Sequence, residues 1–182
     1  MAIVNDIYAF LNEIAPVRYQ MDFDNAGFLV GDGGTAVKKT LLALDVTDDV
    51  IAEAVELRAQ LIVSHHPLIF TPLRHATTDD LAGRKVLTMA RHGISAICMH
   101  TNLDAAEGGV NDVLADLFSI RQRTAFADGC GRVGDIDPIT VPELAALAQR
   151  KLAALCNAPD TGTAVQVKFA DAGKPVRRLA VI

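Results

Sequence analysis

The chain has 182 residues, 51% hydrophobic and 21% charged, enough apolar material for one full core or two small ones and too much for disorder. Its formal charge of −5 argues against broad, sequence-independent contact with nucleic acid, whose phosphates reward clustered cations. Cys98, Cys130 and Cys156 are odd in number, widely spaced and outside any CxxC pattern, so they read as reduced thiols of a cytoplasmic protein rather than a disulfide framework.

In the N-terminal stretch MAIVNDIYAFLNEIAP, Ile3, Ile7, Phe10, Leu11 and Ile14 recur at helical spacing with Asp6 and Glu13 between them. This predicts an amphipathic surface helix ended by Pro16, with no signal peptide and no membrane span. Asp22 to Gly31, DFDNAGFLVG, sets two acids and an amide before an apolar run. Asp24 and Asn25 either line a site or form a turn, and the turn is the simpler reading. After an Asp32–Gly33–Gly34 turn, the apolar run Val37 to Val46 predicts a central strand with Asp45 near its end. Thr47 is placed as the N-cap of a helix through Gln60, with Asp48 and Asp49 at the positive end of its dipole.

Leu61 to Val63 then predict a short buried strand, so that strand, helix and strand make a crossover onto a parallel sheet. The unit repeats: Thr78 caps a helix to His92, Gly93 terminates it, and Ile94 to Met99 form the next strand. The predicted fold class is α/β, a layered α/β/α arrangement around a largely parallel central sheet.

Chemistry concentrates where these strands end. Leu61 to Phe70 reads LIVSHHPLIF, in which the apolar run stops on Ser64, His65, His66 and Pro67. At the C-terminal edge of an open α/β sheet successive loops converge, and ligands collect there. An extended backbone would turn His65 and His66 to opposite sides, each serving one of two ions, and Pro67 would hold that divergence. One unit later His100 opens HTNLDAAEGG, with Asp104 four residues on and Glu107 beyond. Two neighbouring strand ends would thus supply His65, His66, His100 and Asp104 as metal ligands. The mixture of nitrogen and oxygen suits Zn²⁺, Fe²⁺, Mn²⁺ or Co²⁺ better than Ca²⁺ or Mg²⁺. His75 reads as loop surface and His92 as a helix C-terminus.

The last third reads as scaffold. GCGRVGD is turn-rich, and Cys130 within it lacks the nearby histidine that a thiol nucleophile needs. Thr140 and Glu143 form a capping-box pattern for a helix to Cys156. AVQVKFAD and VRRLAVI predict two strands around a GKP turn, with Arg177 and Arg178 either at a surface or near an anionic ligand, a solvated edge being the commoner outcome. The break near Ala127 to Pro138 divides the chain into a metal-binding α/β domain over 1–126 and a second subdomain over 127–182.

Taken together, FDNAGFLVG, SHHPLIF, HTNLDAAEGGVND and GCGRVGD resemble, in order and over nearly the whole chain, the Nif-three-like family, also called GTP cyclohydrolase type two homologues. The resemblance implies the Nif-three-like α/β fold, a dinuclear centre of two divalent ions and, in many members, a toroidal homohexamer. It makes His65 and His66 ligands to the two metals and Asp104 a further ligand, with His100 either a ligand or a group behind them. The family's pattern also places a His and a metal-bridging Glu near the C-terminus as HxxxE. This chain has no HxxxE, and its final VRRLAVI reads as a strand cut before the family's later segments.

Two functions follow. In one, the ions serve a hydrolase acting on a small-molecule substrate; the family's name points to GTP, yet GDGG is too short for a phosphate loop and lacks its Lys-Ser/Thr ending. In the other, the protein is a metal-containing binding or adaptor protein without turnover.

Overall fold

The computed structural model describes residues 1–155 and 165–182, so Cys156 and the first residue of the AVQVKFAD stretch lie outside the described residues. The chain divides into two compact units, Met1–Gly109 and Val110–Ile182. The boundary falls ahead of the expected 126/127 division because the stretch before residue 127 pairs forward with the strand that follows it.

In the first unit helix α1 (Val4–Ile14) is followed by strands β1 (Gly27–Val30) and β2 (Thr40–Ala43), helix α2 (Asp48–Leu57) and strand β3 (Leu61–Ser64). Helix α3 (Leu81–Arg91), strand β4 (Ser95–Cys98) and the short helix α4 (Thr101–Ala105) complete it. The sheet order is β1-β4-β3-β2, with β2, β3 and β4 parallel and β1 antiparallel to β4. Alternation along the strands builds two cores. Ile62 and Ala96 face Ile51 and Ala54 of α2 and Met89 of α3, whereas Leu61 and Ile97 face Val4 of α1 and Ala106 beyond α4. Helices therefore cover both faces, the α/β/α layering that the crossovers predict.

Three local expectations change. The central positions belong to β3 and β4, and β2 is an edge strand shorter than Val37 to Val46. Gln60 Oε1 accepts from the amides of Lys38 and Lys39 at 2.8 and 3.2 Å, which withdraws that stretch from the ladder. Asp80, not Thr78, caps α3, accepting from Gly83 N–H at 2.6 Å. Thr47 does cap α2, accepting from Val50 N–H at 3.1 Å.

The second unit holds helix α5 (Val110–Leu117), strands β5 (Arg121–Phe126) and β6 (Gly131–Ile139), helix α6 (Val141–Leu155) and strand β7 (Val176–Val181). Its antiparallel sheet runs β5-β6-β7, so most of GCGRVGD is the middle strand and only residues 127–130 turn. Pro138 is accommodated where the β6–β7 register shifts between Asp135 and Ile139. Ala115, Ile120 and Ile136 form the core of this unit. Residues 165–171 alternate like a strand but join no ladder among the described residues; the Val165 carbonyl accepts from Gln149 Nε2 on α6 at 2.9 Å. Arg178 stands opposite Asp135 across the β6–β7 pair, 3.6 Å away and exposed.

Candidate metal centre

β3 and β4 lie side by side, and the chain leaves both at the same edge. Backbone pairing continues past the strands: His65 N–H donates to Ala43 O at 3.2 Å, His66 N–H to Leu44 O at 2.9 Å, and Met99 N–H to Ser64 O at 2.8 Å. These bonds fix the Cα positions of His65 and His66 and, one residue past Met99, of His100. A ring nitrogen of each imidazole lies within 4.8 Å of one on the other two, a cluster capable of holding a divalent metal ion. Ring centroids are 5.1 Å apart for His65 and His66, 5.3 Å for His65 and His100, and 5.7 Å for His66 and His100.

The expected divergence of His65 and His66 does not occur. The chain bends at both residues, and Ser64 Oγ–H donates to His66 O at 2.8 Å, closing a tight local turn. Side-chain alternation holds only while the backbone stays extended. Asp104, on α4, joins the cluster with Oδ1 3.9 Å from His65 Nε2. That is too long for a hydrogen bond. It lies between the roughly 3.4 Å that separates two tetrahedral donors at about 2.1 Å from one ion and the roughly 4.2 Å of two opposed ones.

Each imidazole has one nitrogen engaged from behind. His65 Nδ1 meets Met99 O at 2.9 Å, His66 Nδ1 meets Asp45 Oδ1 at 2.7 Å, and His100 Nδ1 meets Asp24 Oδ1 at 2.7 Å. All three partners are acceptors, so Nδ1 carries the hydrogen and, in the neutral imidazole, Nε2 is the nitrogen with the lone pair. An oxygen behind a histidine that leaves Nε2 free is the arrangement that fixes and strengthens a metal-binding imidazole. The donor set and its backing therefore fit a divalent ion.

Asp24 is the most embedded of these partners. Its side chain has no solvent exposure, and it also accepts from Thr101 N–H at 3.1 Å and from Thr101 Oγ–H. Burial alone would raise its pKa, but the hydrogen bonds from Thr101, His100 and the Asn25 amide outweigh it and hold the carboxyl below its ordinary range. The DFDN stretch is thus a wall of the site as well as a turn, and Asn25 contributes a donor, Nδ2–H to Ile69 O at 2.6 Å. Asp45 escaped assignment in the sequence, although an acid at a parallel strand's C-terminal end was the available signal.

Cys98 lies just behind the cluster and is not one of its donors. Burial, reinforced by the charge of Asp24 and only partly offset by Ser64, pushes its thiol up to about 12. It stays protonated and donates to His65 O at 3.0 Å. Cys130 is buried, with 4% exposure. His75 is in an exposed loop, His92 is the exposed C-cap of α3, and Glu107 is exposed after α4. Among the described residues no helix is long and apolar enough to cross a membrane.

The family model for Duf34/NIF3 (NGG1p interacting factor 3) matches residues 2–182. A Clostridium perfringens relative named GTP cyclohydrolase 1 type 2 homolog is 43% identical over 119 residues, covering 65% of this chain and 45% of the relative. The chain thus spans about half the length of that relative. The crystal structure of a Staphylococcus aureus hypothetical protein superposes with a TM-score of 0.78 at 25% identity, covering 99% of this chain and 71% of that one. Reduced HcgD from Methanocaldococcus jannaschii gives 0.74 at 29% identity, covering 81% and 59%. With its full described fold and nearly every residue matched, this chain belongs to the Duf34/NIF3 family.

Proposed function

We propose that His65, His66, His100 and Asp104 form a divalent metal centre that serves hydrolysis of a small-molecule substrate. The observation that carries it is the triple backing of the imidazoles by Met99, Asp45 and Asp24, each leaving Nε2 free. Zn²⁺, Fe²⁺, Mn²⁺ and Co²⁺ are the ions that three nitrogens and one carboxylate favour. Such an ion lowers the pKa of bound water and polarises a substrate oxygen. His65 and Asp104 are the pair spaced for one ion, with His66 and His100 beside them. Four donors satisfy one four-coordinate ion; two ions, the stoichiometry that the family resemblance implies, draw on water or further carboxylates as well.

The chain's own residues supply position and polarity. The Asp24 carboxylate holds His100 and the first turn of α4 together, which sets Asp104 at its place against His65. The relatives' name, GTP cyclohydrolase 1 type 2 homolog, directs the first substrate panel toward hydrolysis of purine nucleotides and related rings. The family descriptor names an interaction, and on that ground the adaptor reading stands second. Homohexameric assembly and a cytoplasmic location, where the thiols of Cys98 and Cys130 stay reduced, belong to the same proposal.

Metal content per chain decides the matter, measured on protein purified without chelator beside His66→Ala and Asp104→Ala. One or two ions in the parent, a deficit in both variants and hydrolysis that chelator abolishes support the enzyme. Retained metal without turnover on the panel supports the adaptor, and a folded parent without affinity for any of the four ions overturns both.

A further inference from the structure

Two large apolar rings stand on the rim of this polar cluster. Phe23 is 67% exposed and Phe70 is 50% exposed. Single exposed apolar residues are ordinary on a soluble protein. These two are a contacting pair, with centroids 6.5 Å apart and planes tilted by 56°. Phe70 also stands edge-on to His100, 6.4 Å away at 88°. Two exposed rings in contact beside a polar cluster form a small apolar patch rimmed by polar groups, the composition of a ligand-binding groove.

The rings are fastened to the cluster. Phe23 precedes Asp24, whose buried carboxylate binds His100 and Thr101. Phe70 follows Ile69, whose carbonyl accepts from Asn25 Nδ2 at 2.6 Å. Two loops distant in sequence are thereby joined to each other, and one of them to the imidazole that faces Phe70. Past Phe70 opens a cleft of about 690 Å³, also lined by Thr71, Arg74, His75, Thr77 and Asp79. Its charges are of both signs, so it gives room for a substituent without fixing the sign of that substituent.

We propose that Phe23 and Phe70 are specificity-determining residues that receive a planar aromatic ring of the substrate while the polar group attached to that ring is held at the imidazole cluster. An aromatic face prefers offset or edge-on contact with another ring, and the tilted pair offers both. The inference rests on the metal-centre reading and adds to it the class of substrate: a ring compound with its reacting group directly on or next to the ring.

The test separates ring from headgroup. Benzohydroxamate and acetohydroxamate share one metal-chelating group and differ in the ring, so the ratio of their affinities is compared between metal-loaded parent, Phe23→Leu and Phe70→Leu. The leucines keep apolar bulk and remove the aromatic face. A benzohydroxamate preference that falls by about two- to tenfold in each variant, with acetohydroxamate affinity unchanged, is the expected result. An unchanged ratio overturns the ring proposal and leaves the metal centre standing. Failure of both hydroxamates to bind the metal-treated parent overturns the metal reading, and the ring proposal with it. Variants that alter the oligomeric state and not the ratio show that a second copy covers the rings, which also overturns it.

Discussion

His100 donates to Asp24 at 2.7 Å across 76 residues of sequence, joining a loop before β1 to the residue that opens α4 just beyond β4. Asp24 has no exposed side-chain surface, whereas Asp45, which backs His66, is 55% exposed. Solvent screens the second pair and not the first. In the proposed centre Asp24→Asn should therefore weaken metal affinity by about ten- to a hundredfold, and Asp45→Asn by clearly less. Competition against a chromogenic chelator at fixed pH measures both. Equal affinities in parent and Asp24→Asn would show that the charge behind His100 does not strengthen the hold on the ion.

The parts of this site that could be read in the sequence are those where one local rule decides the outcome. His65, His66 and His100 follow apolar runs, and consecutive crossovers place the ends of neighbouring parallel strands together. Thr47 and the Thr140–Glu143 capping box depend on residues three apart and are equally plain. What the sequence hides is set by contacts distant along the chain. Asp24 becomes a partner of His100 only when β1 pairs antiparallel with β4. The strand at Gly131–Ile139 is masked by Gly131 and Gly134, which read as turn residues; here they admit close neighbours, the Phe126 ring against Gly131 and the Arg121 backbone against Gly134.

Gly31 is a position where the backbone admits no side chain. Its φ is +117°, and a Cβ there would lie 2.7 Å from Ser95 Cα, a backbone atom of buried β4. Gly31→Ala therefore adds both torsional strain and a collision that no rotamer relieves. A loss of about 3 kcal/mol or more is expected from urea denaturation of the whole chain. Gly93→Ala serves as comparison: φ is +64° but nothing stands within 4 Å, so only the torsional cost of about 1 kcal/mol should appear. Equal losses in the two variants would contradict the close approach at Gly31.

In the second unit Arg132, 8% exposed, donates from Nε to Asp112 Oδ1 at 2.6 Å and so ties β6 to α5. Its Nη1 donates to Gly129 O at 2.5 Å and Gly131 O at 3.2 Å, and its Nη2 to Asp112 Oδ2 at 3.4 Å. Removing the partly buried Asp112 carboxylate leaves the Arg132 charge on carbonyl acceptors alone, so Asp112→Ala should cost about 3 kcal/mol, the low end for a broken buried pair. Arg132→Met with Asp112→Leu removes both charges and should recover most of that loss. The fluorescence or circular dichroism transition in urea reports both variants. A double variant no more stable than Asp112→Ala would mean that the pair itself, beyond charge balance, holds α5 to the sheet.

At α6 the Glu143 carboxylate accepts from Thr140 Oγ–H at 2.6 Å and from Thr140 N–H at 3.0 Å, while Glu143 N–H donates to Thr140 Oγ at 3.4 Å. The Thr140 hydroxyl, then its amide, hold the Glu143 carboxyl below its ordinary value. A carboxyl depressed in the folded state binds fewer protons there than in the unfolded chain, so the stability it gives is present above the unfolded pKa near 4.5. That stability is lost as pH falls through the lower folded pKa. Nuclear magnetic resonance titration of the Glu143 carboxyl should show a midpoint below 4.5, returning toward 4.5 in Thr140→Val, which removes the hydroxyl and keeps the shape. The same substitution should flatten the acid-side decline in stability of this unit, because the linked proton uptake is smaller. A midpoint that stays depressed in Thr140→Val would assign the shift to the Thr140 amide alone, which accompanies the backbone turn into α6 and survives the substitution.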